Sequence, residues 1–177
     1  AMRVSPIGYA FDSAGETLAE AKRSAEVSHM HPEAIKGAQA VALALFMARN
    51  KASKAEIKEE IIERFSYNLN RRLNDIRESY GARPDLTCQG SVPEAIVAFL
   101  ESDGVESAIR NAVSLGGDAD TQACIAGGIA EAAFGGVPEP ILSEVVKRLP
   151  PQFTATVDEF YQRLVPGFIP WGGKQKS

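Results

Sequence analysis

Ile35, Ala38, Val41, Ala42, Leu45 and Phe46 fall at the i, i+3, i+4, i+7 spacing that lines one face of an α-helix. Pro32 suits the first turn of that helix, and the pattern stops near Asn50. The same signature recurs along the chain. Residues 16–27 carry Leu18, Ala21 and Ala25 at helical spacing. Ser53 and Glu56 form a capping box ahead of Ile57, Ile61 and Phe65: the serine accepts from an early amide and the glutamate reaches back. Leu69, Leu73 and Ile76 predict a short helix ending before Gly81. Ser91-Val92-Pro93-Glu94 reads as a second capping box with proline inside the first turn, leading Ile96, Val97, Phe99 and Leu100. Asp103-Gly104-Val105-Glu106 repeats the acid-cap logic for a helix through Val113. Cys124 to Phe134 reads as a helix of very small residues, and further helices are expected at 140–149 and 154–164. No useful stretch alternates with a period of two, and no segment repeats. The expected fold is all-α: a compact orthogonal helical bundle over residues 1–165, then an irregular tail over 166–177.

Length and charge narrow the function classes. A chain of 177 residues is the size of one domain. Lysine and arginine number 19 against 23 acidic residues, so the net charge is −4. With a pI near 5.3, that balance argues against nucleic acid as the main partner, because phosphate binding needs a basic face. Cys88 and Cys124 form no CxxC motif and no disulfide framework, which fits a reducing compartment. The longest small-apolar stretch, 123–137, contains Glu131 and four glycines. It falls short of the about 20 apolar residues that cross a bilayer. No basic-then-apolar leader opens the chain. A soluble, cytoplasmic protein without a membrane partner is expected.

Three segments carry the chemistry. In Gly117-Asp118-Ala119-Asp120-Thr121, two carboxylates and a hydroxyl sit together at the start of a helix, after glycines that allow a tight turn. Such a set offers oxygen ligands to one hard cation, Mg²⁺, Mn²⁺ or Ca²⁺ rather than zinc. The alternative is that Asp118 or Asp120 only caps the helix. Ser28-His29-Met30-His31 holds both histidines of the chain. Next to a helix opened by Pro32 they suit an anion, or they are ordinary helix-entry residues. The run from Cys88 to Glu94 could present a hydroxyl and amides to a ligand, or simply begin a helix; nothing marks Cys88 as a nucleophile.

Read in order, Ser28-His29-Met30-His31-Pro32-Glu33-Ala34, Gly90-Ser91-Val92-Pro93-Glu94-Ala95-Ile96 and Ser114-Leu115-Gly116-Gly117-Asp118-Ala119-Asp120-Thr121 resemble the ADP-ribosylglycohydrolase family, that of the dinitrogenase reductase-activating glycohydrolases. The opening Ala1-Met2-Arg3-Val4-Ser5-Pro6-Ile7-Gly8 resembles the end of the family's Gly-Asn-Gly-Ser-Ala-Met-Arg loop. The resemblance implies an all-α fold around a two-metal site, with Mg²⁺ or Mn²⁺ as cofactor. It implies hydrolysis of ADP-ribose from a protein side chain or small acceptor. By position, Asp118, Asp120 and Thr121 correspond to metal ligands, and Asp120 to a residue that positions the attacking water. His29 corresponds to an ADP-ribose contact, and Ala1 and Met2 to the edge of the loop that wraps the diphosphate.

Family members carry a further N-terminal portion with a Thr-Asp-Asp ligand run, and no Asp-Asp pair occurs in this chain. The resemblance therefore covers only the C-terminal part of the family. It implies a truncated or split form with little or no activity; the alternative is a non-catalytic homologue that binds ADP-ribose or a protein partner. Helix faces left uncovered in such a form lead to an expected homo-oligomer. The loop at 116–121 is expected to share a concave, acidic pocket with His29.

Overall fold

A computed structural model describes residues 1–80 and 85–164. Among these residues ten helices follow in chain order: α1 (Ser5–Ala10), α2 (Ala14–Glu26), α3 (Pro32–Arg49), α4 (Lys54–Phe65), α5 (Leu73–Tyr80), α6 (Cys88–Leu100), α7 (Val105–Val113), α8 (Ala119–Phe134), α9 (Glu139–Arg148) and α10 (Pro151–Leu164). Among the described residues there is no strand, and the all-α expectation holds.

The chain forms two compact units, Ala1–Gly136 and Val137–Ser177. The single domain expected over residues 1–165 spans both of them. Gly135 and Gly136 take positive φ values of 82° and 129° at the end of α8, where the first unit closes. The second unit contains α9 and α10. Pro140 occupies the first turn of α9, and Glu144 pairs there with Lys147 at 2.7 Å. The tail at 166–177 lies outside the described residues.

In the first unit, α3 packs against α1, α2, α4, α6 and α8. Its sequence pattern predicts one buried face, yet Ala40, Leu43 and Ala44 are buried as well as Ala38, Val41, Ala42 and Leu45. A helix apolar nearly all round belongs in the centre of a fold. Small residues let its neighbours come close. A Cβ on Gly8 would sit 2.6 Å from Leu45 Cδ2, and one on Gly128 would sit 2.8 Å from Ser5 Oγ. The α4 capping box forms as expected: Ser53 Oγ accepts from Glu56 N at 3.2 Å, and Ser53 N donates to Glu56 Oε2 at 2.7 Å.

Two expected caps are corrected. Ser91-Val92-Pro93-Glu94 does not begin a helix, because α6 starts at Cys88 and carries Pro93 in its interior. Proline has no N–H for the carbonyl of Gln89, but Gln89 is exposed and water can serve that oxygen. Ser91 is buried, and its hydroxyl donates to Asp85 O at 3.3 Å. Glu94, also buried, meets Arg71 Nη1 at 2.6 Å. At α7 the N-cap is Gly104, and Ser107 Oγ accepts from the N–H groups of both Asp103 and Gly104 at 3.0 Å. Those amides precede the helix, so the hydroxyl plays the part that reaches back in a capping box and not that of an acidic cap. The short helix α1 has no counterpart among the sequence-based expectations; six residues carry too little periodicity to announce it.

Candidate functional site

The site is built where the N-terminal residues, the α2–α3 connection, the start of α6 and the start of α8 converge. These segments line a pocket of about 550 Å³, within the range of ordinary ligand sites.

The α8 end is set by its backbone. Gly116 takes φ 78°, in the left-handed region that favours glycine, and Ala119 N donates to Gly117 O at 2.8 Å. Asp118 then occupies the N-cap position with φ −73° and ψ 69°, and its side chain makes no capping bond. The capping alternative therefore fails for Asp118, which lines the pocket. Thr121, one turn further on, lines it too. Asp120 is exposed and is not among the lining residues. Its carboxylate accepts from Thr121 N at 3.0 Å and is hydrogen-bonded to the Asp118 carboxyl group. The Asp118 hydrogen bond, then the backbone N–H groups, hold Asp120 below its ordinary carboxylate range.

The opposite side comes from the end of α2. His29 N donates to Ala25 O at 2.7 Å, which closes the helix. Ser28 Oγ lies 2.8 Å from His29 Nδ1, and Arg3 Nη2 reaches Ser28 Oγ at 3.5 Å. This chain of contacts orients the imidazole through one nitrogen and leaves Nε2 for a ligand. His31 takes the ordinary part: it is the N-cap of α3, and its Nδ1 accepts from Glu33 N at 3.2 Å.

The N-terminal residues fill the space between these walls. Ala1, Met2 and Arg3 all line the pocket. Thr121 Oγ1 donates to Met2 Sδ at 3.3 Å, and Cys124 Sγ donates to Met2 O at 3.3 Å. Cys88, Ser91 and Val92 supply the α6 wall. Gly90 is required behind that wall, because a Cβ there would lie 2.3 Å from Asp85 Cγ.

His29, Ala1, Met2, Asp118 and Thr121 thus come together, and Asp120 stands beside them outside the lining. The expected acidic character is not found: among the described residues Asp118 is the only carboxylate on the lining, and Arg3 shares it. Arg3 and Ser28 join the site without having been singled out. The signal for Arg3 was its place beside Met2 in the opening motif; Ser28 gave none beyond adjacency to His29.

The donor set suits a hard cation in kind. Asp118, Asp120 and Thr121 offer oxygen only, and Mg²⁺ commonly keeps several waters when few protein ligands are present. Among the described residues, however, no group of three or more histidine, cysteine or acidic side chains is placed to hold a metal.

The sequence model of the family described as ADP-ribosylglycohydrolase matches residues 1–170. An uncharacterized protein of Archaeoglobus fulgidus is 32% identical over 152 residues, covering 78% of this chain and 50% of the relative. The chain spans about half the length of the curated relative it matches.

Proposed function

The chain belongs to the ADP-ribosylglycohydrolase family, and from that premise we propose that its pocket binds the ADP-ribose carried by a protein side chain or small acceptor and forms part of a hydrolase site. The observation that carries this reading is the convergence of Met2, His29, Asp118 and Thr121 on one pocket of about 550 Å³. Arg3 and His29 supply the cationic and donor groups that a diphosphate takes. The exposed Met2 and Leu86 offer apolar surface at the same pocket.

Asp118, Asp120 and Thr121 are the residues that would hold Mg²⁺ or Mn²⁺. Bound there, such a cation supplies a Lewis acid that orients ribose hydroxyls and acidifies water. The part left to Asp120 is positioning. A carboxylate held below its ordinary range is a poor base but stays ionised and accepts a hydrogen bond from water. One carboxylate on the lining and one beside it make a sparse acid-base set for cleaving a glycosidic bond. Turnover by these residues alone is accordingly weak or nil. The same sparseness favours, as a second reading, a protein that binds ADP-ribose without cleaving it.

Self-association is part of the proposal, supported by the exposed Val27, Met30 and Leu86, at 88%, 77% and 66% accessibility. Among the described residues no helix is long and apolar enough to cross a membrane, and both cysteines are free, which supports a reducing compartment such as the cytoplasm.

The test pairs calorimetry with ADP-ribose against an assay of ADP-ribose release from a modified protein in Mg²⁺. Binding with little release is expected. Absence of binding overturns the reading, whereas robust release that Asp120→Ala abolishes overturns the weak-turnover part. Light scattering that finds a monomer across a wide concentration range removes the self-association.

A further inference from the structure

We propose that Met2 is an oxidation site through which peroxide controls the Thr121 hydroxyl. The inference rests on the hydrolase reading only for its consequence, since Thr121 is there a cation ligand. Its basis is the contact of Thr121 Oγ1 with Met2 Sδ at 3.3 Å, in which a hydroxyl spends its proton on a thioether, a weak acceptor.

The surroundings make the sulfur both reachable and confined. Met2 is 42% exposed. Its backbone is held on two sides, by Cys124 Sγ donating to Met2 O at 3.3 Å and by the turn in which Val4 N donates to Ala1 O at 3.3 Å. Met30 is more exposed, at 77%, but is not on the pocket lining. Met47 lies inside α3 and is half-buried.

The step needs a two-electron oxygen-atom donor of the hydroperoxide class. A sulfur lone pair attacks one peroxide oxygen, the S–O bond forms and the O–O bond breaks. The thioether is oxidised to the sulfoxide, and the peroxide is reduced and leaves as water with both its protons. Methionine sulfoxide is polar and chiral, and a dedicated reductase reverses it.

Sulfoxidation replaces the weak thioether acceptor with a polar oxygen that stands off the sulfur, so the Thr121 hydroxyl no longer meets its present acceptor. A hydroxyl-to-oxygen hydrogen bond needs about 2.7–2.8 Å between the oxygens, and the present 3.3 Å runs directly from hydroxyl to sulfur. Either the Met2 side chain swings out or Thr121 turns to another staggered rotamer. The first leaves the threonine proton without its present acceptor, and the second re-aims the threonine oxygen on the pocket lining that Asp118 shares.

The experiment treats the 177-residue protein with hydrogen peroxide. Peptide mass spectrometry follows oxidation at Met2, Met30 and Met47, and ¹³C-methyl spectra follow the Met2 and Thr121 methyl groups. Mg²⁺ is then titrated before and after oxidation, in the wild type, Met2→Leu and Met30→Leu, each compared with itself. The expected result is a moved Thr121 methyl signal and a loss of Mg²⁺ affinity on the order of tenfold, the lower end for disturbing a ligand's support. Wild type and Met30→Leu should show it and Met2→Leu should not. A Thr121 signal unmoved by Met2 oxidation overturns the proposal, as do persistence of the effect in Met2→Leu, Met2 oxidising no faster than Met47, and unchanged Mg²⁺ affinity despite a moved signal. If Mg²⁺ binds neither form, the cation-ligand reading fails and with it the functional consequence, while the Thr121 methyl still decides the oxidation contact.

Discussion

His29, which follows α2, and Asp118, which precedes α8, line the same pocket although no sequence motif links them. Histidine offers a ring nitrogen to an anionic or sugar oxygen, and the aspartate offers oxygen to a cation, so the two walls divide the work. Replacing His29 with alanine should weaken ADP-ribose binding on the order of tenfold, the value of one well-made hydrogen bond. The same substitution should leave Mg²⁺ binding in place. Calorimetry with each ligand separately checks the division.

Asp118→Ala and Asp120→Ala should each abolish the Mg²⁺ response seen by calorimetry, and Mn²⁺ should bind at least as well as Mg²⁺ while Zn²⁺ binds less. The ordering follows from a donor set made only of oxygen. An unchanged Mg²⁺ response in both variants removes the site.

Gly90→Ala should destabilise the fold by about 1–3 kcal/mol, the usual range for overpacking. The new methyl would meet Asp85 Cβ at 2.4 Å as well as Cγ at 2.3 Å. Asp85 cannot simply turn aside, because its carboxylate accepts from Thr87 N at 2.9 Å and from Thr87 Oγ1 at 2.6 Å. Urea unfolding at neutral pH measures the loss.

Glu94 sets a pH dependence. Burial pushes its carboxyl above the ordinary value of 4.5, and the Arg71 charge and hydrogen bond only partly oppose this. The folded state therefore binds the proton more tightly than the unfolded state. Its contribution is fully present below pH 4.5 and is lost as the pH rises through the folded value. Relative to Glu94→Gln, the wild type should lose stability as the pH is raised from about 4.5. Urea midpoints of both proteins across that range give the sign directly.

Lys54→Ala should cost about 1.5–3 kcal/mol, the range for hydrogen bonds from a charged donor. Its ammonium donates to Leu100 O at 3.2 Å and to Ser102 O, closing the C-terminus of α6. It also lies 5.2 Å from the centroid of the Phe99 ring and 5.3 Å from that of Phe134. Urea unfolding checks the value, and Lys54→Arg should recover part of it.

Helices α3 and α4 were legible in the sequence because their signals are local. Apolar spacing sets a buried stripe, and Ser53 and Glu56 satisfy orphan amides within one turn. Ser91 to Glu94 has that same local form and deceived for the same reason. Whether such a segment caps or is buried depends on partners from outside it, Asp85 O at Ser91 and Arg71 at Glu94. The candidate residues His29, Asp118 and Thr121 could be named from ordered motifs, but their placement could not. Asp118 lines the pocket and Asp120 does not, although both were equal candidates in the sequence. That difference goes with the backbone turn at Gly116, which sets Asp118 at the N-cap of α8 and Asp120 within its first turn. The long helices and the Ser53 cap rest on contacts within a few residues of chain, so the sequence by itself determined those. A pocket is a juxtaposition of distant segments, and only the close packing of α1, α2, α6 and α8 on α3 brings those segments together.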